Sequence, residues 1–308
     1  MVKAPAPALV HDLERLLAGF PYARSLPMDP LAQVIPWAGD RRAAEIVGVL
    51  ASTVAVGNVK SIRTDLSSLL ARLGQDPRGF VEEFPRRSWR TLLSPWRHRW
   101  IRGDQMGFLL LRLGELYERY PGGLEELFLE GAEGPGPEER FAAGVHALSR
   151  GLRYGGPGEP RSYFEPPLGY LRLFPSPREG GHPACKREVL FLRWMVRRSP
   201  PDLGLWTRVD PSILHVPLDT HVYWIARHLG LTRRASRNWP TVVEITRALR
   251  AMDPGDPVRF DFALAHTGIS GDCPKRPDPS ICGRCAVQPH CDLWRGTRSR
   301  RLPRARGA

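Results

Sequence analysis

Lysine is nearly absent from this chain: across 308 residues only Lys3, Lys60, Lys186 and Lys275 occur, against 41 arginines. The formal charge of +13 therefore rests almost wholly on guanidinium groups, which stay cationic and fork onto phosphates. Chemistry that needs a neutral amine is confined to four positions. Cysteine is scarce as well, five in all, which argues against a disulfide-stapled secreted scaffold. No apolar run approaches the length of a bilayer span, and the opening Met-Val-Lys-Ala-Pro-Ala-Pro has no apolar core of a secretory leader. A cytoplasmic protein without a membrane partner is the expectation. Runs of alternating apolar and polar residues are also wanting, which excludes a large half-buried sheet.

What is present is ordinary for a soluble globular chain, with 42% hydrophobic and 25% charged residues. The excess of arginine would draw polyanions and suits nucleic acid. Together with 31 prolines it also fits GC-rich coding or a warm habitat. Helical periodicity dominates. Between residues 41 and 56, Ala44, Val47, Gly48, Leu50, Ala51 and Val54 trace one face, and Gly57-Asn58 stops the run. Similar stripes cover 62–73, 106–120, 124–129, 141–152, 189–196, 222–229, 242–252 and 260–267. The fold class predicted is all-α. Residues 131–137 and 155–161 read as linkers dense in glycine and proline, and 166–183 as an irregular excursion. Beyond Trp294 the arginines Arg295, Arg298, Arg300, Arg301, Arg304 and Arg306 stand among small residues, a tail expected to stay disordered until it meets an anion.

Four of the five cysteines fall in one short stretch, Cys273-x8-Cys282-x2-Cys285-x5-Cys291. Soft thiolates gathered this tightly imply a metal centre. Zinc sites of four cysteines usually show two CxxC knuckles, and only Cys282–Cys285 is one. The asymmetry favours a [4Fe-4S] cluster, with zinc as the alternative and disulfides or free thiols third.

The block Pro217-Leu218-Asp219-Thr220-His221-Val222, with Ala226-Arg227-His228-Leu229-Gly230-Leu231 after it, resembles the Asp-Thr-His-Val and Leu-Gly-Leu blocks of the endonuclease III branch of helix-hairpin-helix DNA glycosylases. The order that follows matches too: an amphipathic helix, an acidic turn, a further helix, Gly268 and the four-cysteine loop, whose first interval is two residues longer than in that branch. The chain is also similar to an uncharacterised prokaryotic family that carries blocks like Phe191-Leu192-Arg193-Trp194-Met195-Val196-Arg197, Asp202-Leu203-Gly204-Leu205-Trp206 and Asp256-Pro257-Val258-Arg259-Phe260-Asp261-Phe262-Ala263-Leu264.

The resemblance implies two helical lobes of glycosylase type. It divides the chain into an N-terminal helix packing on the cluster lobe (1–40), a helical-barrel lobe with a degenerate hairpin (41–214), an Asp-bearing lobe with the cluster loop (215–294) and the basic tail (295–308). It implies a monomeric DNA-repair glycosylase that flips a damaged base out of duplex DNA, with or without lyase activity, RNA remaining open as a partner. The alternative is a non-catalytic iron-sulfur protein that binds nucleic acid on the same scaffold.

By the same resemblance Asp219 is the assisting carboxylate, although an Asp before Thr-His-Val is in any case a good helix N-cap. Lys186, opening an apolar helix, stands where the branch has its nucleophilic lysine; a structural or phosphate-binding lysine is the competing reading. Two departures accompany it. Gly180-Gly181-His182-Pro183-Ala184 does not reproduce the hairpin turn, and the segment with Asp202–Trp206 lengthens the Lys-to-Asp interval, which is similar to the archaeal 8-oxoguanine branch. Cys185, His182, His221, Trp194 and Trp206 read as structural. Lys275, Arg276, Arg284, Arg295 and Arg298 are the expected phosphate contacts.

Overall fold

The computed structural model describes residues 6–84, 86–155 and 164–301. Among the described residues fourteen α-helices follow one another: α1 (Pro7–Ala18), α2 (Tyr22–Ser25), α3 (Arg41–Val54), α4 (Val59–Leu73), α5 (Pro77–Glu82), α6 (Gly103–Arg119), α7 (Leu124–Gly131), α8 (Pro137–Tyr154), α9 (Lys186–Val196), α10 (Thr220–His228), α11 (Trp239–Arg250), α12 (Asp261–Ile269), α13 (Pro279–Cys282) and α14 (Asp292–Arg301). Strand structure among the described residues is limited to a hairpin of two-residue strands, β1 (Arg97–His98) and β2 (Ile101–Arg102). The all-α expectation holds. No described helix is long and apolar enough to cross a membrane.

Helix starts follow the capping residues in the sequence. Side-chain oxygens of Asp40, Asn58, Asp76, Asp219, Asn238 and Asp278 each accept from a backbone N–H in the first turn that follows. Helix α3 is buried from Ala43 to Val54, as suits a helix enclosed on all sides. It crosses α9 at Gly48, where an added methyl would stand 3.1 Å from Met195 and 3.2 Å from Phe191. Glu45, fully buried on α3, accepts from Trp206 Nε1 (2.8 Å) and from the backbone N–H of Leu124 (3.1 Å), tying α3 to α7 and to the Asp202–Trp206 segment. That segment runs back along the end of α9, with Leu203 N donating to Trp194 O and Trp206 N to Met195 O, both at 2.8 Å. It is core rather than an appended loop: Trp194 and Trp206 are completely buried. One contiguous cluster of buried apolar side chains extends from Leu9 to Val287.

The connection into α9 is irregular and proline-rich, and its described part holds one 3-10 turn, Tyr170–Leu173. Cys185, the residue before α9, takes φ +49°. The basic tail is more ordered than its composition suggests, since α14 continues to Arg301; Asp292 in its first turn suits the positive end of the helix dipole. Residues 302–308 lie outside the described part.

The N-terminal segment lies against the C-terminal one. Asp12 on α1 pairs with His290 at 3.0 Å, Glu14 with Arg259 at 2.7 Å, and Arg15, Leu16 and Phe20 border a shared hollow with Ile281, Arg284 and Cys285.

Candidate active site

Five stretches distant in sequence enclose a cavity of about 240 Å³. Helix α9 supplies Lys186, Leu190 and Arg193, spaced i, i+4 and i+7 along one face. The start of α10 supplies Asp219 and His221, α12 supplies Asp261, Ala265 and His266, and the remaining wall comes from Met28–Pro30 and from the turn between α3 and α4, Ala55 to Val59. Lys186 and Asp219, 33 positions apart in the chain, thus line one small chamber.

Lys186 Nζ donates to the carbonyl of Ala55 (3.0 Å), and Arg187 donates through Nε to Thr53 O (2.9 Å) and through Nη1 to Leu173 O (3.0 Å). Both side chains thereby satisfy carbonyls that the end of α3 leaves open. The amine is held at the cavity wall. Asp219 Oδ1 accepts from the backbone N–H of Val222 at 2.8 Å, so the N-cap role is present in full. His221 is fixed by close helix contact: a methyl at Gly268 would stand 2.5 Å from its Cβ, so α10 and α12 approach here only because residue 268 has no side chain.

Behind this rim lies a buried ionic network that sequence reading passed over. Arg193, 2% exposed, donates through Nε to Asp202 Oδ1 (3.1 Å) and through Nη1 to Asp261 Oδ2 (2.5 Å). Arg197 donates to the other oxygen of Asp202 (3.1 Å) and to Asp256 (2.8 Å). Burial works against the Arg193 cation, but Asp202, Asp261 and Asp29 outweigh it and hold it charged. Burial drives the Asp261 carboxyl up to about 6 despite the pull of Arg193, with Asp219 and Asp202 adding to the rise. Asp29 is partly buried, which would raise its carboxyl, yet the hydrogen bond with His266 Nε2 (2.9 Å) and the field of Arg193 hold it below the usual range. A cationic side chain between Leu192 and Trp194 in an apolar helix was the available signal for Arg193. Asp29 and His266 carry no local signal, because their pairing spans 237 positions.

At the cavity's edge, Gly57 (φ +109°) lies against Arg99, whose Nη1 would be 2.7 Å from an added methyl. Arg99 caps the β1–β2 hairpin together with Trp100; its guanidinium sits 5.1 Å from the Trp100 ring, and that indole is 53% exposed. His98 anchors the hairpin, with Nδ1 2.8 Å from Asp65 Oδ2 and Nε2 2.9 Å from Val56 O. From Met28, Asp29, Asn58 and Val59 an open groove leads outward past Lys60 and Arg63.

The cysteines of the C-terminal loop, Cys273, Cys282, Cys285 and Cys291, are half-buried and none is in a disulfide. Burial pushes the Cys273 thiol up to about 12, and the neighbouring Cys291, Cys285 and Cys282 add to the shift. Among the described residues no three such donors already stand in the arrangement of a metal site. Four thiols in one loop are donors of the type a thiolate-held centre uses, but the described loop is not drawn tight about a point. Cys185 is different: it is buried, its Sγ donates to Pro175 O and Pro183 O at 3.2 Å, and burial raises its thiol far above the reactive range. Lys275, Arg276, Arg284 and Arg295 are exposed, although Arg284 and Arg295 also donate to the carbonyls of Ser280 and Pro289. Arg298 lies on α14, its side chain outside the described part.

Residues 29–270 match the family described as "Protein of unknown function (DUF2400)". The chain belongs to this family. The DUF2400 match takes in every residue of the cavity except Met28, and it stops three residues short of Cys273, leaving the cysteine loop beyond it. No curated protein and no solved structure matches the chain.

Proposed function

We propose that this DUF2400 protein is a DNA-repair glycosylase of the endonuclease III-like kind, acting on a base flipped from duplex DNA into the cavity. The observation that carries the reading is that Lys186 and Asp219 line the same chamber. In the proposed reaction the Lys186 amine, once neutral, forms a bond to the sugar C1′ while the glycosidic C–N bond breaks. The departing base takes that electron pair. The Asp219 carboxylate, held by its cap to Val222, offsets the positive charge that develops on the sugar. Loss of the amine proton and ring opening leave an imine between Lys186 and C1′, from which strand scission follows by elimination.

Further support comes from the surroundings. The Arg99–Trp100 tip beside the cavity joins a cation to an exposed ring, the combination that enters a base stack. Lys60 and Arg63 along the adjoining groove suit phosphates. The test is borohydride trapping on duplexes that contain an abasic site or a damaged base. Wild type should form a covalent protein–DNA adduct, and Lys186→Ala should form none. A protein that binds these duplexes but neither excises nor crosslinks would instead be the non-catalytic nucleic-acid binder, with Lys186 serving only Ala55 and Asp219 only Val222.

A [4Fe-4S] cluster on Cys273, Cys282, Cys285 and Cys291 belongs to the same proposal, as a clamp on the C-terminal loop, which α1 also contacts. Anaerobically purified protein should be brown and contain iron and acid-labile sulfide in equal amounts, and Cys285→Ser should lose the colour. Colourless protein with stoichiometric zinc would replace the cluster by a zinc clamp.

A further inference from the structure

Residues 220–243 hold four arginines, Arg227, Arg233, Arg234 and Arg237, and not one carboxylate. They make up α10, the start of α11 and the loop between, which Tyr223 ties to α10 by donating its hydroxyl to the carbonyl of Ala235 (2.7 Å). Glu244 on α11 neutralises Arg234 at 2.7 Å. Among the described residues Arg227, Arg233 and Arg237 have no carboxylate partner, and Arg237 Nη1 donates to a neutral group, the hydroxyl of Thr220 (2.7 Å). Thr220 directly follows Asp219, so this free cation stands at the edge of the chamber.

From that edge an open face runs along α10. Thr220, Trp224, Arg227 and His228 follow at i, i+4, i+7 and i+8, the spacing of one helix stripe. Trp224 is 46% exposed, one of three large apolar side chains so open among the described residues. Its ring meets Tyr223 edge-on (5.1 Å between centroids), stacks with His228 (6.3 Å) and has the Arg227 guanidinium 5.7 Å away. The indole is thus held in place while nearly half of it stays bare. A bare ring beside unneutralised guanidiniums matches a polynucleotide strand, which offers a flat base and an anion with every nucleotide.

The placement of the ring decides between a paired and an unpaired strand. Trp100 stands at a hairpin tip, which can enter a stack. Trp224 lies on the side of a helix, where its ring can meet only a base that has already left its stack. Against a fully paired duplex the same helix would find phosphates and no free base face. Resting on the glycosylase reading above, we infer that the preferred substrate carries its lesion where the strand is unpaired on one side. The neighbouring base lies on Trp224, and the phosphate between it and the flipped nucleotide lies on Arg237.

The experiment measures affinity for three DNA probes of one length, each with a tetrahydrofuran abasic analogue at its centre. One is fully paired, one has unpaired bases on the 5′ side of the analogue, and one has them on the 3′ side. Wild type should bind one of the opened probes about tenfold more tightly than the paired duplex, the size of one base stacked on an aromatic ring. Trp224→Ala should bring that probe down to the duplex level, and Trp224→Phe, which keeps a ring, should retain most of the preference. Arg237→Ala should weaken binding and lower the salt dependence by about one phosphate. The comparison of probes with wild type needs no variant, so it stands even where Trp224→Ala fails to fold. Equal affinity for all three probes overturns this assignment alone. So does a preference that Trp224→Ala leaves intact, which would give the α10 face to a protein partner. Failure to bind any of the three overturns the glycosylase reading and this one with it.

Discussion

Arg193→Met should cost about 3–5 kcal/mol of stability at pH 7, the loss that follows when one partner leaves a buried ion pair. The guanidinium is the hydrogen-bond partner of Asp261 and shares Asp202 with Arg197. A methionine can lie against the Phe262 ring as the guanidinium does, but it leaves the Asp261 charge without its partner. The pH dependence gives the mechanism away. With Arg193 present, Asp261 already titrates near 6, above its unfolded value of about 4. The folded state thus binds the proton more tightly, and the stability so gained is complete below the unfolded value and lost as pH rises through 6. Without the arginine the folded value climbs further. The deficit of Arg193→Met should therefore be largest above pH 7 and shrink steadily toward pH 5. Urea unfolding across that range checks it. Arg193→Met combined with Asp261→Leu should recover about half of the loss, because no unpaired carboxylate remains. A deficit that does not vary with pH would mean packing, not charge, is what Arg193 supplies.

The second large effect separates two jobs of one residue. Asp219→Asn should keep the protein within about 0.5 kcal/mol of wild type, since asparagine caps a helix as well as aspartate does. Asp219→Ala should lose about 1 kcal/mol. Excision by both should fall by about 10²–10³-fold, because neither carries the negative charge set against the developing cation at C1′. Thermal melts and single-turnover excision on the same preparations make the comparison. Activity that tracks stability, falling for alanine and persisting for asparagine, would reduce Asp219 to a cap.

Much of this was legible in the sequence, for reasons that differ by residue. Periodicity located the middle of every long helix from α3 to α12, because each carries an apolar stripe at helical spacing, α3 and α9 being buried beyond it. Local capping chemistry sets some of the starts: α4 begins at Val59 because Asn58 precedes it, and α11 at Trp239 because of Asn238. Lys186 stood out because lysine is so rare. The short α5 and α13 were missed, since six and four residues do not sustain a period. The chemistry at the back of the cavity was missed for a different reason. Arg193 and Asp261 lie inside apolar blocks that read as core, and their partnership joins residues 68 positions apart. Pattern reading registers faces of single helices; it does not see an ion pair made between two of them.

The order in which the molecule can be completed follows from the N-terminal segment. Its anchors join Asp12 to His290, Glu14 to Arg259 and Asp29 to His266, separations of 278, 245 and 237 residues. On a ribosome the N-terminal strap emerges more than two hundred residues before its docking partners, so this wall must wait, undocked, until they follow. The entropy of closing such long loops is met only after the helices it bridges are in place. The chamber is therefore finished in one late step, after α12 leaves the exit tunnel, and an unfinished chain carries Lys186 and Asp219 without the Asp29 side of the chamber that encloses them.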